Sequence, residues 1–302
     1  MELCMALLFT GDLHGERGIH RFAPESFPEG EVLDRDDFII VAGDFQMIYA
    51  HGGLTRQEQV QLDWLSRRPW TTLFIDGNHE HMPRLRSLPL EQRFGGTVGK
   101  AADNVYYLQR GERYTIDGRS ILCLGGARSI DRHKRVPGES WFEDEVPTGT
   151  DVQATRNAAG QGPVDVFLTH TCPPDIKFLL PIHSRNDLSD PTEHMLADLR
   201  PLVQPRHWIF GHFHVNWKGR QNGIEYTCLF DEIALLDLKM GIIPLGKRPM
   251  TKQPPQASSA EIPSAAPAAP GRLPKPSRPA SPPSSGQTVS PPDSGFGTWG
   301  GE

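Results

Sequence analysis

Five short apolar runs in this chain each break off at a cluster of Gly, Asp, Asn or His, and no other feature limits the fold so strongly. Leu3–Thr10 runs into Gly11-Asp12, Phe38–Ala42 into Gly43-Asp44, and Thr71–Asp76 into Gly77-Asn78-His79. Val164–Thr169 ends at His170, and His207–Phe210 ends at Gly211-His212-Phe213-His214. Runs of about four to eight branched and aromatic residues bounded by turn formers predict buried strands. Helical patterns lie between them. Thr55–Arg68 sets Val60, Trp64 and Leu65 on one face and is stopped by Pro69. Thr192–Val203 places Leu196, Leu199 and Val203 at helical spacing, with Pro191 at its entry.

Strand-helix alternation predicts an α/β fold. Two stretches predict antiparallel pairing instead: Tyr106–Leu124, with a hairpin turn at Asp117-Gly118, and Ile224–Lys239. Gly125–Gly162 has weak periodicity, many charges and several glycines. It predicts a long, partly irregular insertion of the kind that forms lids and rims.

Composition sets the limits of the folded body. Twelve of the 28 prolines fall from Thr251 onward, among Ala, Ser and Gly. Such a tract buries too little apolar surface to offset its ordering entropy, so a folded domain is expected over 1–245 and a disordered tail over 246–302. Within the tail, Pro276-Ser-Arg-Pro279 has the PxxP form, which proline-rich composition produces by itself. No partner for the tail can be named. After Leu245 there are six basic and three acidic residues, so a chain of net charge −6 has a body of about −9. That balance weighs against a broad phosphate-backbone binder.

Cys4, Cys123, Cys172 and Cys228 are far apart and show no CxxC spacing, which disfavours a disulfide framework or a thiolate zinc site. The start, MELCMALLFTGDLHG, lacks a basic n-region and a small-residue cleavage site and reads as a first strand. No apolar run approaches the roughly 18 residues of a membrane span. A cytoplasmic setting without membrane attachment is expected.

The polar clusters share one chemistry. Asp12-x-His14, Gly43-Asp44, Gly77-Asn78-His79-Glu80, His170 and Gly211-His212-x-His214 offer only oxygen and imidazole donors, which suit divalent first-row metals. All sit where a strand gives way to a loop, and a parallel sheet would gather them at its carboxyl edge. A single such Asp or His is more often a turn or cap residue. Five in order are not.

This set resembles the five signature blocks of the calcineurin-like metallophosphoesterase superfamily and spans about 205 residues of the chain. The resemblance implies a four-layer αββα sandwich, with two mixed sheets packed together and flanked by helices. It implies that Asp12, His14, Asp44 and His214 hold one divalent metal and that Asp44, Asn78, His170 and His212 hold a second. Asp44 would bridge the two ions: manganese first, with iron, zinc or nickel as alternatives. His79 would not be a ligand. It would donate a proton to the leaving oxygen, a role that asks for a near-neutral pKa.

The second block reads Gly43-Asp44-Phe45-Gln46-Met47-Ile48-Tyr49 and lacks the GDxxDRG pattern of protein serine/threonine phosphatases and diadenosine tetraphosphate hydrolases. The stretches GDLHGE, DGNHE, GGARSID, PGESWFEDE, LTHTCP and GHFH are more similar to small bacterial and phage metallophosphoesterases. The expected function is hydrolysis of a phosphate mono- or diester by metal-activated water. A nuclease and a non-catalytic scaffold of the same fold are the alternatives.

Around this core the assignments are less specific. Arg128 and Arg132, with His133 and Arg135, open the insertion and either clamp a substrate phosphate or form surface ion pairs such as Asp131 with Arg135. Arg17 is similarly ambiguous. Glu80 is a candidate acceptor for a ligand imidazole. Trp141 and Phe142 are expected to anchor the insertion, Cys172 to be a small buried residue, and His183, His194 and His207 to be structural or superficial.

Overall fold

The computed structural model describes residues 5–182, 190–237 and 241–245. Cys4, His183, the end of the Ile224–Lys239 stretch and the whole expected tail lie outside the described residues.

The chain builds one sheet, then a second, then returns to the first. The first six strands are β1 (Leu7–Thr10), β2 (Phe38–Val41), β3 (Thr71–Phe74), β4 (Leu90–Arg93), β5 (Gly96–Ala102) and β6 (Val105–Leu108). The next six are β7 (Arg113–Ile116), β8 (Arg119–Leu124), β9 (Val166–Thr169), β10 (His207–Phe210), β11 (Trp217–Gln221) and β12 (Ile224–Cys228). Last come β13 (Ala234–Asp237) and β14 (Gly241–Pro244). The first sheet has the order β14-β13-β1-β2-β3-β6-β5-β4, and the second β11-β12-β10-β9-β8-β7. Strands β1, β2, β3 and β6 run parallel at the centre of one, and β8, β9, β10 and β12 at the centre of the other.

Period-two alternation explains why two sheets and not one. Leu8, Ile39, Val41 and Phe74 point to one face of the first sheet, while Leu7, Phe9, Ile40 and Leu73 point to the other. The second set packs directly on Ile121, Cys123, Val166, Leu168 and Ile209 of the second sheet. Both faces of each central strand are therefore buried, which is why these runs read as unbroken apolar stretches.

Helices cover the outer faces. Among the described residues six are α-helical: α1 (Glu16–Ile19), α2 (Arg56–Ser66), α3 (Met82–Arg86), α4 (Gly149–Ala159), α5 (Pro174–Lys177) and α6 (Pro191–Val203). Leu62, Trp64 and Leu65 of α2 close the first sheet, whereas Ala158 and Ala159 of α4 and Leu196, Leu199 and Val203 of α6 close the second. Three hydrophobic layers between four structural layers give the expected αββα sandwich. Val60 is only half-buried, and Glu58 takes a fuller part because it closes the Thr55 capping box at the start of α2.

Both antiparallel expectations are corrected in part. The Asp117-Gly118 turn joins β7 to β8, with φ of 51° and 67° as a type I′ hairpin requires. Tyr106–Leu108, however, belongs to β6, parallel to β3 in the other sheet. The second stretch divides likewise: β12 pairs with β10 and β11, and β13 crosses to pair with β1. Local patterning carries no record of which sheet a strand joins. The insertion also contains α4, whose capping box of Thr148 and Asp151 outweighs its weak apolar periodicity.

Candidate metal centre

The expected ligands converge from two sheets, so the single carboxyl edge anticipated from the sequence is a junction of two edges. Asp12 and His14 follow β1, Asp44 follows β2, and Asn78 and His79 follow β3; His170 follows β9, and His212 and His214 follow β10. Direct contacts across the junction hold the loops together. His170 Nδ1 lies 2.8 Å from the carbonyl of Ala42, the His212 backbone N–H donates to Asp12 at 3.0 Å, and the His79 N–H donates to Asp44 Oδ1 at 2.9 Å. His14 N–H donates to the Asp44 carbonyl at 2.7 Å.

Glycine makes this proximity possible. A Cβ at Gly43 would lie 2.2 Å from His170 Nδ1, one at Gly77 2.1 Å from Asp44 Oδ1, and one at Gly211 2.8 Å from Asp12 Oδ2. Backbone strain accompanies it. His14, Asp44, Gln46, His212 and His214 have φ of 49°, 50°, 54°, 70° and 52°, a left-handed conformation that costs a non-glycine residue about 1–3 kcal/mol.

Two clusters of donors result, each with its atoms within 4.8 Å of one another: Asp12, His14 and His214, and Asp12, Asp44 and His170. His14 Nε2 and His214 Nε2 face each other at 3.0 Å, an approach that one shared proton or one cation reconciles. Asp12 is common to both clusters, and Asp44 Oδ2, 3.4 Å from His170 Nε2 in the second, is also 3.7 Å from His14 Nε2 in the first. Asn78 Oδ1 lies 3.2 Å from His170 Nε2. The His212 ring stands edge-on to His170 with centroids 5.1 Å apart, beside the second cluster. Oxygen and imidazole donors this close, with their remaining hydrogen-bonding atoms engaged by protein, fit divalent cations. His14 Nδ1, for instance, faces Gln46 Oε1 at 3.0 Å.

Charge in the bare pocket is distributed accordingly. Burial and the nearby Asp44 raise Asp12 to about 7, against the pull of His170. Burial works against the charged form of Asp44 too, but His170 outweighs it and the carboxyl stays ionised. His170 is the counterpart: burial disfavours its charge, yet Asp44 and Asp12 hold it up at about 10. Metal-free, the pocket is balanced by a proton on His170. His79 is pushed down to about 4 by desolvation, with Arg135 adding to the effect and Asp44 opposing it. The near-neutral value expected of this histidine is therefore not that of the free site. Burial is the main cause, and Arg135 adds to it, its Nη2 lying 2.9 and 3.0 Å from the two His79 ring nitrogens while also bonding Asp131.

Arg128 and Arg132 are placed differently from the expected phosphate clamp. They line a cavity of about 940 Å³ together with Trp141, Glu143 and Asp144. The cavity above the metal ligands, about 580 Å³, is lined by Asp44, Asn78, His79, Ile130, Asp131, Lys177, Phe213 and His214, among others. Within the segment 128–132, Arg128 and Arg132 line the first cavity and Ile130 and Asp131 the second. Glu80 is also reassigned: its carboxylate accepts from the backbone N–H groups of Phe45 and Gln46 at 2.6 and 3.3 Å, so it holds the Asp44 loop and not an imidazole.

Phe142 anchors the insertion on the core, its ring 4.5 Å from His81. Cys172 is fully buried and its thiol is pushed up by burial. His194 is exposed and His207 sits 3.3 Å from Glu225. Arg17 lines a separate hollow beside His14. Among the described residues no helix is long and apolar enough to cross a membrane.

Two mixed sheets packed face to face and flanked by helices, with this donor set at their junction, define the class of metal-dependent phosphoesterases. The chain belongs to the calcineurin-like phosphoesterase family, whose pattern it matches over residues 5–216. It is 25% identical over 210 residues to a lariat debranching enzyme of Schizosaccharomyces pombe, a match covering 60% of this chain and 43% of that protein. To the lariat debranching enzyme of Danio rerio it is 28% identical over 244 residues, 70% of this chain and 41% of the relative. The chain thus spans about two fifths of the length of these relatives. Among solved structures it resembles phosphopantetheinyl hydrolase from Mycobacterium tuberculosis, with 18% identity, a TM-score of 0.39, and coverage of 75% of this chain and 90% of that one.

Proposed function

We propose that the chain is a dinuclear metal-dependent phosphodiesterase. The observation that carries this is a pair of donor clusters that share Asp12, with Asp44 Oδ2 reaching from the second cluster to within 3.7 Å of His14 Nε2 in the first, and with the His79 backbone N–H donating to Asp44 Oδ1. Asp12, His14, Asp44 and His214 would hold one ion, and Asp44, Asn78, His170 and His212 the other, with manganese the first candidate. When bound, such a pair of ions supplies an activated water and offsets the charge of an in-line phosphoryl transition state.

The chain's own residues supply the rest. His79, on the rim of the cavity, delivers a proton to the leaving oxygen, and an anionic phosphate seated beside it raises its proton affinity from the low value of the free site. Arg135 keeps a positive charge next to that histidine and orients its ring. Ile130, Pro181, Ile182, Phe213 and Val215 form an apolar wall for the organic part of the ester.

The relatives are lariat debranching enzymes, so a phosphodiester within branched RNA is the leading substrate class. A small phosphate ester is the second reading, favoured by the acidic body of about −9. Turnover should be measured on metal-stripped protein with manganese restored, using bis-p-nitrophenyl phosphate, p-nitrophenyl phosphate and a branched RNA. Manganese-dependent cleavage of the diesters in preference to the monoester is expected. Preference for the monoester would overturn the diester assignment. Metal-loaded protein that cleaves none of the three would overturn catalysis in favour of a scaffold.

A further inference from the structure

An asparagine ligand carries an ambiguity that a carboxylate does not. Its amide oxygen and nitrogen are nearly the same size, and only the oxygen can ligate a cation; rotated by half a turn, the group presents two N–H donors to the site. In this chain the Asn78 oxygen faces His170 at 3.2 Å, and its nitrogen turns the other way, donating to Ser129 Oγ at 3.1 Å. Ser129 is itself committed. Its hydroxyl donates to Glu145 Oε2 at 2.7 Å, and its backbone N–H donates to Oε1 of the same carboxylate at 2.7 Å. The Asn78 carbonyl oxygen, at 3.4 Å, is a poorer second acceptor for that hydroxyl.

All three residues are buried: Asn78, Ser129 and Glu145 are 6%, 1% and 2% exposed. With water largely excluded, the polarity of the chain of bonds has one direction. A carboxylate that only accepts takes the single hydroxyl proton, the hydroxyl lone pairs are left to accept, and the amide nitrogen must face them. The amide oxygen is thereby aimed at the ligand cluster.

We infer that Ser129 and Glu145 are positioning residues that fix the amide of Asn78 in its metal-ligating orientation. Neither touches the cluster, and both belong to the insertion, on opposite sides of its loop. The insertion is in turn clamped to the strand that carries Asn78. Arg110 donates to Asp76 through Nε and Nη2 at 2.9 and 2.6 Å and to the Glu145 carbonyl at 3.0 Å. Tyr107 donates to the other Asp76 oxygen at 2.8 Å. This assignment rests on the dinuclear reading above, because it gives Asn78 a cation to ligate.

Manganese binding to the metal-stripped full chain, followed by calorimetric titration and by the electron paramagnetic resonance of free Mn²⁺, tests it without reference to turnover. Ser129→Ala removes the acceptor, and Glu145→Gln can place a donor where the hydroxyl proton now goes. Each should weaken one of the two manganese sites by about 10- to 100-fold, the usual effect of losing a group that orients a ligand. In the Asn78→Asp background the same two substitutions should have little effect, since either oxygen of the introduced carboxylate can ligate. Full manganese affinity in Ser129→Ala would overturn the inference. So would an equal loss in the Asn78→Asp background, which would mark Ser129 and Glu145 as general supports of the fold. Wild-type protein that takes up no manganese would instead refute the dinuclear reading.

Discussion

The loops that follow the parallel strands and the insertion at 125–162 build the site by opposite means. At four of the five strand ends the chemistry is written in adjacent residues, a glycine for close approach and then a donor, and at the fifth His170 follows Thr169 directly. The insertion supplies no expected ligand, yet Ser129 reaches Asn78 with Glu145 behind it and Arg135 reaches His79, and although Ser129 and Glu145 lie in the stretches GGARSID and PGESWFEDE, no spacing within those stretches points to these contacts. Ligands are set by the strands that precede them. The groups that bond Asn78 and His79 lie 51 and 56 residues further along the chain. A site can thus be complete in donors along the sequence while the partners of those donors emerge only from the packing of the two sheets.

Breaking the junction itself should have the largest effect. Gly43→Ala would push a methyl carbon into His170 at a backbone φ of 93°, and should destabilise the metal-free protein by about 3 kcal/mol while abolishing metal uptake. Urea denaturation with elemental analysis would check this; unaltered stability would mean that the two sheets do not meet as described.

Next in size is His79→Ala, which should lower kcat by about 10²- to 10⁴-fold with metal content unchanged, as loss of a proton donor does. Unchanged hydrolysis would remove His79 from the mechanism. On the insertion side, Arg128→Ala and Arg132→Ala should change the kinetics of a small diester by less than about twofold, because neither lines the cavity above the ligands. A marked rise in KM would restore them as a phosphate clamp and join the two cavities into one site. Smallest of all should be deletion of residues 246–302, with turnover and denaturation midpoint both retained; a loss of folding would place the tail within the domain.

The same contrast explains what could be read in advance. The five strands and seven candidate ligands were legible because buried parallel strands are unbroken apolar runs and their chemistry sits within a few residues of their ends. The assignment of β6 and β13 was not, since a strand's sheet is decided by distant partners. Helix α4 has weak apolar periodicity, and its mark in the sequence is the capping box of Thr148 and Asp151. Left-handed backbone at His14, Asp44, His212 and His214 had no sequence mark beyond the neighbouring glycines. Arg135 was visible only as one of several arginines, and its ion pair with Asp131 was legible where its contact with His79 was not. Glu80, adjacent to the ligands, serves the backbone of a neighbouring loop.

In the dinuclear reading proposed above, Asp44 joins two metal sites where the two sheets meet. Counting manganese bound per chain in wild type and in Asp44→Asn, by titration of metal-stripped protein, tests it most directly. Two ions in the wild type and loss of tight binding at both sites in the variant are predicted. One ion in the wild type, or two still tightly held by Asp44→Asn, would contradict it.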